Sequence, residues 1–207
     1  MPNLIQLARS NKSLTLILLI ALISAIIGLI ISQQQRNPPV PEYLNTIGGN
    51  FTVISADGNV SLSDFANDIV LIYFGYAHCP DVCPMALTQI GNAMHSLPES
   101  LQKHMHGIFI SLDPRRDTPV SLSDYAHFFG PNIIGTTADA DTLSQIAYSW
   151  RVDYAVPDAA ADSHYTVEHS NFIYLVNKQG RVVSLFDERT QAKEIADAMA
   201  LWFNTNE

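Results

Sequence analysis

The chain has 207 residues, with 11 Lys and Arg against 20 Asp and Glu, a formal net charge of −9. That balance excludes a nucleic-acid binder that works through a basic face, because phosphate binding draws on clustered Lys and Arg. A hydrophobic content of 47% and a mean hydropathy of +0.10 exclude a disordered acidic chain.

The charge is divided unevenly. Residues 1–36 hold Arg9, Lys12 and Arg36 and no acid, hence +3; the other 171 residues hold 8 of the bases and all 20 acids, hence −12. Within the first part, Leu14 to Ile31 is an 18-residue run, LTLILLIALISAIIGLII, without a charge. As a helix it would span roughly 27 Å, close to the roughly 30 Å hydrocarbon core of a bilayer. The uncharged stretch from Ser13 to Gln35 reaches 23 residues. It lacks the polar face of a buried core helix, and its apolar run exceeds the length usual for a cleaved signal peptide. We therefore expect residues 1–36 to form a short cytoplasmic tail and an uncleaved single-pass anchor. Under the positive-inside rule Arg9 and Lys12 keep the tail inside and send residues 37–207 across the inner membrane to the periplasm. Residues 37–48 are expected to be a linker, stiffened at its start by Pro38-Pro39-Val40-Pro41. Residues 49–207 form one domain of ordinary size.

In that domain, Phe51–Ile54 and Val60–Leu62 flank Asp57-Gly58-Asn59 as a short hairpin. Ile69–Phe74, IVLIYF, is a strand covered on both faces. A helix follows over 84–97, then a buried strand over Ile108–Leu112, and a helix from Thr118-Pro119 to Phe129. A further helix covers Asp141–Trp150, Phe172–Val176 and Val182–Phe186 pair as a hairpin, and a last helix runs from Thr190 to Phe203. Strands and helices alternate first and an antiparallel hairpin closes the sheet. The fold class is therefore α/β, a thioredoxin-like sandwich carrying an N-terminal transmembrane helix.

Both cysteines lie in FGYAHCPDVCPMAL, directly after the central strand. Pro84 places the helix start at its own position, with Cys83 as the cap, where the positive end of the helix favours a thiolate. Three chemistries suit a Cys-x3-Cys pair: a small structural disulfide, a redox dithiol, or a soft metal site in which two thiolates select Cu(I). A third ligand would have to come from seven histidines. His78 adjoins Cys79 but should point away from it. His95 and His127 sit in helices, and His104, His106 and His164 are expected to be solvated. His169 differs: it lies in VEHS, just before the strand that enters the sheet opposite the cysteine turn. Among the acids, Asp117 or Thr118 should cap the helix opened by Pro119, while Asp113 and Asp81 are turn residues that can also stand near a metal or meet a partner.

Taken together, the anchor, FGYAHCPDVCP, SLDPRRDTP (Ser111–Pro119) and YTVEHSNFIYLVN (Tyr165–Asn177) resemble the Sco/SenC family of membrane-anchored copper proteins. The resemblance implies one copper per chain, held by Cys79, Cys83 and His169. It implies a role in delivering copper to, or reducing the cysteines of, the dinuclear copper centre of cytochrome c oxidase. The implied partners are that enzyme's copper-bearing subunit and other copper chaperones. Glu168 stands where the family usually has Asp, which keeps a carboxylate to stand near the metal or meet a partner, as expected of Asp81 and Asp113. The competing reading is a membrane-anchored thiol-disulfide oxidoreductase acting through Cys79 or Cys83. A peroxidase fits less well, since no Arg is placed beside the first cysteine.

Overall fold

The structure, a computed structural model, describes residues 14–29, 39–157 and 165–205. Residues 14–29 form a helix, α1, within one unit of the chain. Among the described residues no helix is long and apolar enough to cross a membrane. Arg9, Lys12, Arg36 and His164 lie outside the described residues, as does Pro38 at the start of the proline-rich stretch.

The second unit, Val40–Asn204, is the folded domain. It begins inside the stretch expected to be linker, because a 3-10 turn over Glu42–Thr46 buries Leu44, and the Gly48 N–H donates to the Ser149 carbonyl at 3.0 Å. A hairpin of β1 (Thr52–Ser55) and β2 (Gly58–Ser61) follows. The main sheet has five strands in the order β5-β4-β3-β8-β9, from β3 (Ile69–Gly75), β4 (Met105–Ser111), β5 (Ile133–Thr136), β8 (Phe172–Val176) and β9 (Val182–Asp187). At its centre, β3 runs parallel to β4 and antiparallel to β8, and all seven of its residues are buried. Two parallel crossovers and a closing antiparallel hairpin make this the thioredoxin-like sandwich expected from the element pattern.

The strand β5 escaped the sequence reading. It is four residues long and carries Gly135, which weakens any β signal. The glycine answers to packing: a Cβ there would run into the backbone carbonyl of Leu122, so the helix above can approach only a residue without a side chain.

Alternation along β3 sends Tyr73 and Phe74 to opposite faces of the sheet. On the Tyr73 face lie α2 (Val82–Ser96), α4 (Pro119–Phe129) and α6 (Ala192–Asn204), with Tyr125 of α4 against Phe109 at 5.5 Å. On the Phe74 face, Trp150 of α5 (Ala140–Trp150) packs against Phe74, Tyr174 and Phe51 with ring centroids 5.5–6.0 Å apart. A short helix, α3 (Glu99–Gln102), connects α2 to β4.

His104 and His106 share one side of the chain, as alternation requires, but they are not simply solvated. The two oxygens of Asp68 meet His104 Nδ1 at 2.7 Å and His106 Nε2 at 2.8 Å. The cause is the parallel register, which pairs Ile69 with Met105 and so sets Asp68 beside both imidazoles. His95 and His127 are exposed on their helices, His127 beside Ser123 Oγ at 3.3 Å.

Candidate metal centre

The β3 strand ends at Gly75, and residues 76–81 then turn the chain into α2. That helix starts at Val82, two residues before the expected position. Pro84 falls in the first turn, where a missing N–H breaks no helical bond, and the first bond runs from the Met85 N–H to the Asp81 carbonyl at 3.3 Å. Cys83 therefore belongs to the first turn and its N–H points at Cys79 Sγ, 3.4 Å away. Cys79 is 8% exposed and Cys83 0%. Next to them His78 turns outward with its side chain 55% exposed, as neighbours in an extended loop do.

The third donor arrives from 86 residues downstream of Cys83. A two-stranded ribbon of β6 (Tyr154–Ala155) and β7 (Glu168–His169) holds it, with Tyr154 opposite His169. His169 Nε2 lies 3.4 Å from Cys83 Sγ, and Nδ1 lies 3.0 Å from the Ser170 carbonyl. A carbonyl accepts only, so Nδ1 carries the proton and Nε2 presents its lone pair to the sulfurs; this is how metal-binding imidazoles are held. The edges of Tyr73 and Tyr76 confine the ring, with centroids at 6.2 and 5.9 Å. Cys79, Cys83 and His169 thus bring three ligand atoms within 4.8 Å of one another, and both cysteines are free thiols.

Electrostatics divides the two sulfurs in the opposite sense to the sequence reading. Cys79 is held well below the ordinary thiol range, first by the hydrogen bond from the Cys83 thiol, with help from the N–H groups of Asp81 and Cys83. Cys83 is pushed up by that same bond to Cys79 and by its burial. The positive end of α2 does favour a thiolate, but the Cys83 amide in its first turn points at Cys79 in the preceding loop and not at its own sulfur.

The SLDPRRDTP segment supplies what orients the candidate donors. Thr118 caps α4, accepting from the Ser121 N–H, so Asp117 is not a cap. Asp117 is 1% exposed and accepts from the Ala77 N–H at 2.8 Å, from Ser111 Oγ at 2.5 Å and from His78 Nδ1 at 3.1 Å, which fastens the loop that carries Cys79. Asp113, 0% exposed, is unavailable to a partner. It accepts from Arg116 Nε at 2.5 Å and Tyr165 Oη at 2.7 Å, while the Arg116 guanidinium lies 3.6 Å over the Tyr165 ring and donates to the Tyr165 carbonyl at 2.8 Å. This clamp fixes the segment that leads into His169. Asp81 and Glu168 are both exposed and neither joins the three-donor group. Spacing in the sequence pointed to none of Tyr73, Tyr76, Arg116 or Tyr165 as part of this site.

Gly75 leaves room for the inner sulfur. A Cβ there would lie 2.8 Å from Cys83 Sγ and 3.1 Å from the rings of Phe109 and Tyr73. Gly75→Ala is expected to cost about 1–3 kcal/mol in stability and to displace the sulfur. Thermal unfolding and a Cu(I) competition titration check this together; a variant that matches the wild type in both would show that the sulfur has slack.

The donor set fits a soft ion. Two sulfurs and one imidazole nitrogen, largely shielded from water and without a carboxylate in the group, suit copper in either oxidation state and Cu(I) above all. Fold and site together define a class: a thioredoxin-like domain that has a Cys-x3-Cys pair and a distant histidine at the end of its central strand. A family model described as SCO1/SenC matches residues 40–204, and the chain belongs to that family. It is 33% identical over 195 residues to the SCO2-like protein RC0895 of Rickettsia conorii, covering 86% of this chain and 93% of the relative. The structure of Bradyrhizobium japonicum ScoI with copper bound matches with a TM-score of 0.68 and 34% identity, over 75% of this chain and 99% of that one. BsSco, from a family of cytochrome c oxidase assembly proteins, has the same fold, with a TM-score of 0.62 and 22% identity over 79% of this chain and 96% of its own.

Proposed function

We propose that this protein is a copper metallochaperone for assembly of the dinuclear copper centre of cytochrome c oxidase, holding one copper as cargo through Cys79, Cys83 and His169. The observation that carries the reading is the convergence of these three donors within 4.8 Å at a point almost closed to water. Copper-bound ScoI, 34% identical, supports the choice of ion. Cys79 is the one sulfur with an exposed edge, so an acceptor's ligand reaches the cargo there and replaces the chaperone's ligands in turn. The acceptor is the copper-bearing oxidase subunit, and other copper chaperones load the site.

Residues 1–36 serve as tail and anchor, with the domain on the periplasmic side. Supporting this, the leucines and isoleucines of α1 from Leu14 to Leu29 are exposed, and its Ser24 hydroxyl donates to the Ile20 carbonyl at 2.8 Å, which satisfies the group without water.

The test is a titration of the reduced full-length chain in detergent with Cu(I) against a colorimetric Cu(I) chelator. One Cu(I) per chain is expected, with binding lost in Cys79→Ser and in Cys83→Ser. Absence of binding, or retention of Zn(II) in competition with Cu(I), overturns the reading.

A further inference from the structure

Tyr73 is 0% exposed, and its hydroxyl lies 3.8 Å from Cys83 Sγ. The ring stacks on Phe109 at 6.3 Å and presents its edge to His169. Among the described residues the sulfur is this hydroxyl's one hydrogen-bond partner. A phenol buried in apolar surroundings is costly unless its O–H is used, so the proton is directed at the sulfur. The Cys83 sulfur also takes the backbone N–H of Tyr76, whereas Cys79 draws on the backbone N–H groups of Cys83 and Asp81.

We infer that Tyr73 is a positioning residue that donates its O–H to the Cys83 sulfur and thereby biases the site toward Cu(I) over Cu(II). A sulfur that shares a lone pair with a donor gives less charge to a metal. Cu(II) demands that charge more than Cu(I) does, and hydrogen bonds to ligating sulfurs tune metal sites in this way. A cargo carried as Cu(I) stays matched to the two thiols. The inference rests on the copper reading above and concerns which oxidation state the site prefers.

The experiment measures Cu(I) affinity against a colorimetric chelator and Cu(II) affinity against glycine, on the full chain in detergent. In Tyr73→Phe the ratio of Cu(I) to Cu(II) affinity is expected to fall about tenfold, equivalent to about 59 mV for a one-electron couple. The sulfur-to-Cu(II) charge-transfer band should move to lower energy. Tyr174→Phe removes the same oxygen from a buried tyrosine of β8 that packs on Phe74 and Trp150, and it should leave the ratio unchanged. An unchanged ratio in a Tyr73→Phe variant that still binds copper overturns the inference while the copper reading stands; so does an equal shift in Tyr174→Phe. If Tyr73→Phe fails to fold, 3-fluorotyrosine at position 73, a stronger donor of nearly the same size, must raise the ratio, and no change overturns the inference. A wild-type chain that binds neither ion removes the copper reading itself.

Discussion

Replacing His169 by Ala is expected to weaken Cu(II) binding more than about 100-fold, since loss of an outer partner of a metal ligand already costs about 10–100-fold. The imidazole is the one nitrogen donor among three ligand atoms that otherwise comprise two sulfurs. Cu(II) is stabilised by nitrogen in its coordination sphere, whereas Cu(I) is content with two thiolates, so Cu(I) affinity should fall by about tenfold at most. The asymmetry between the two ions separates loss of a ligand from loss of the fold. Parallel titrations with both ions measure it, and an unchanged Cu(II) affinity would remove His169 from the site.

Asp113→Ala should have the largest effect on stability, lowering it by about 3–5 kcal/mol, the usual consequence of taking one partner from a buried charge pair. The carboxylate is 0% exposed and the Arg116 side chain 15%, so water replaces little of what the guanidinium loses. Tyr165 Oη loses its acceptor at the same time. Lys193 and Asp197 form an ion pair of similar length at 2.6 Å, but with side chains 82% and 68% exposed, and breaking it should matter little. Urea unfolding of the two variants makes the comparison. Because the Asp113 clamp also sets the approach to His169, Cu(II) affinity should drop with it; a variant as stable as the wild type would refute the clamp.

The continuous apolar runs of β3 and β8 and the turn residues between β8 and β9 make most of the sheet legible in the amino-acid sequence. Cys79, Cys83 and His169 are legible too, the first two from their place after the central strand and the third from its place before β8. What could not be read depends on contacts across long separations. Asp68 meets His104 and His106 only through strand register, and β5 owes its glycine to the carbonyl of Leu122. Asp117 stands directly before a helix and so suggests a cap, although its carboxylate turns inward to Ala77, 40 residues back. The protonation pattern of the thiols inverts for a similar reason, since a two-residue shift in the start of α2 changes which sulfur its amides face.

The short turn from Asp113 to Asp117 grips the Cys79 loop with one carboxylate and the approach to His169 with the other. The entropy of ordering these two remote segments is therefore spent when the chain folds and not when an ion arrives. If the site carries copper as proposed, loaded and unloaded forms are expected to present nearly the same backbone. A partner that tells them apart would then have to read the ion itself, or the edge of Cys79, and not a rearranged loop.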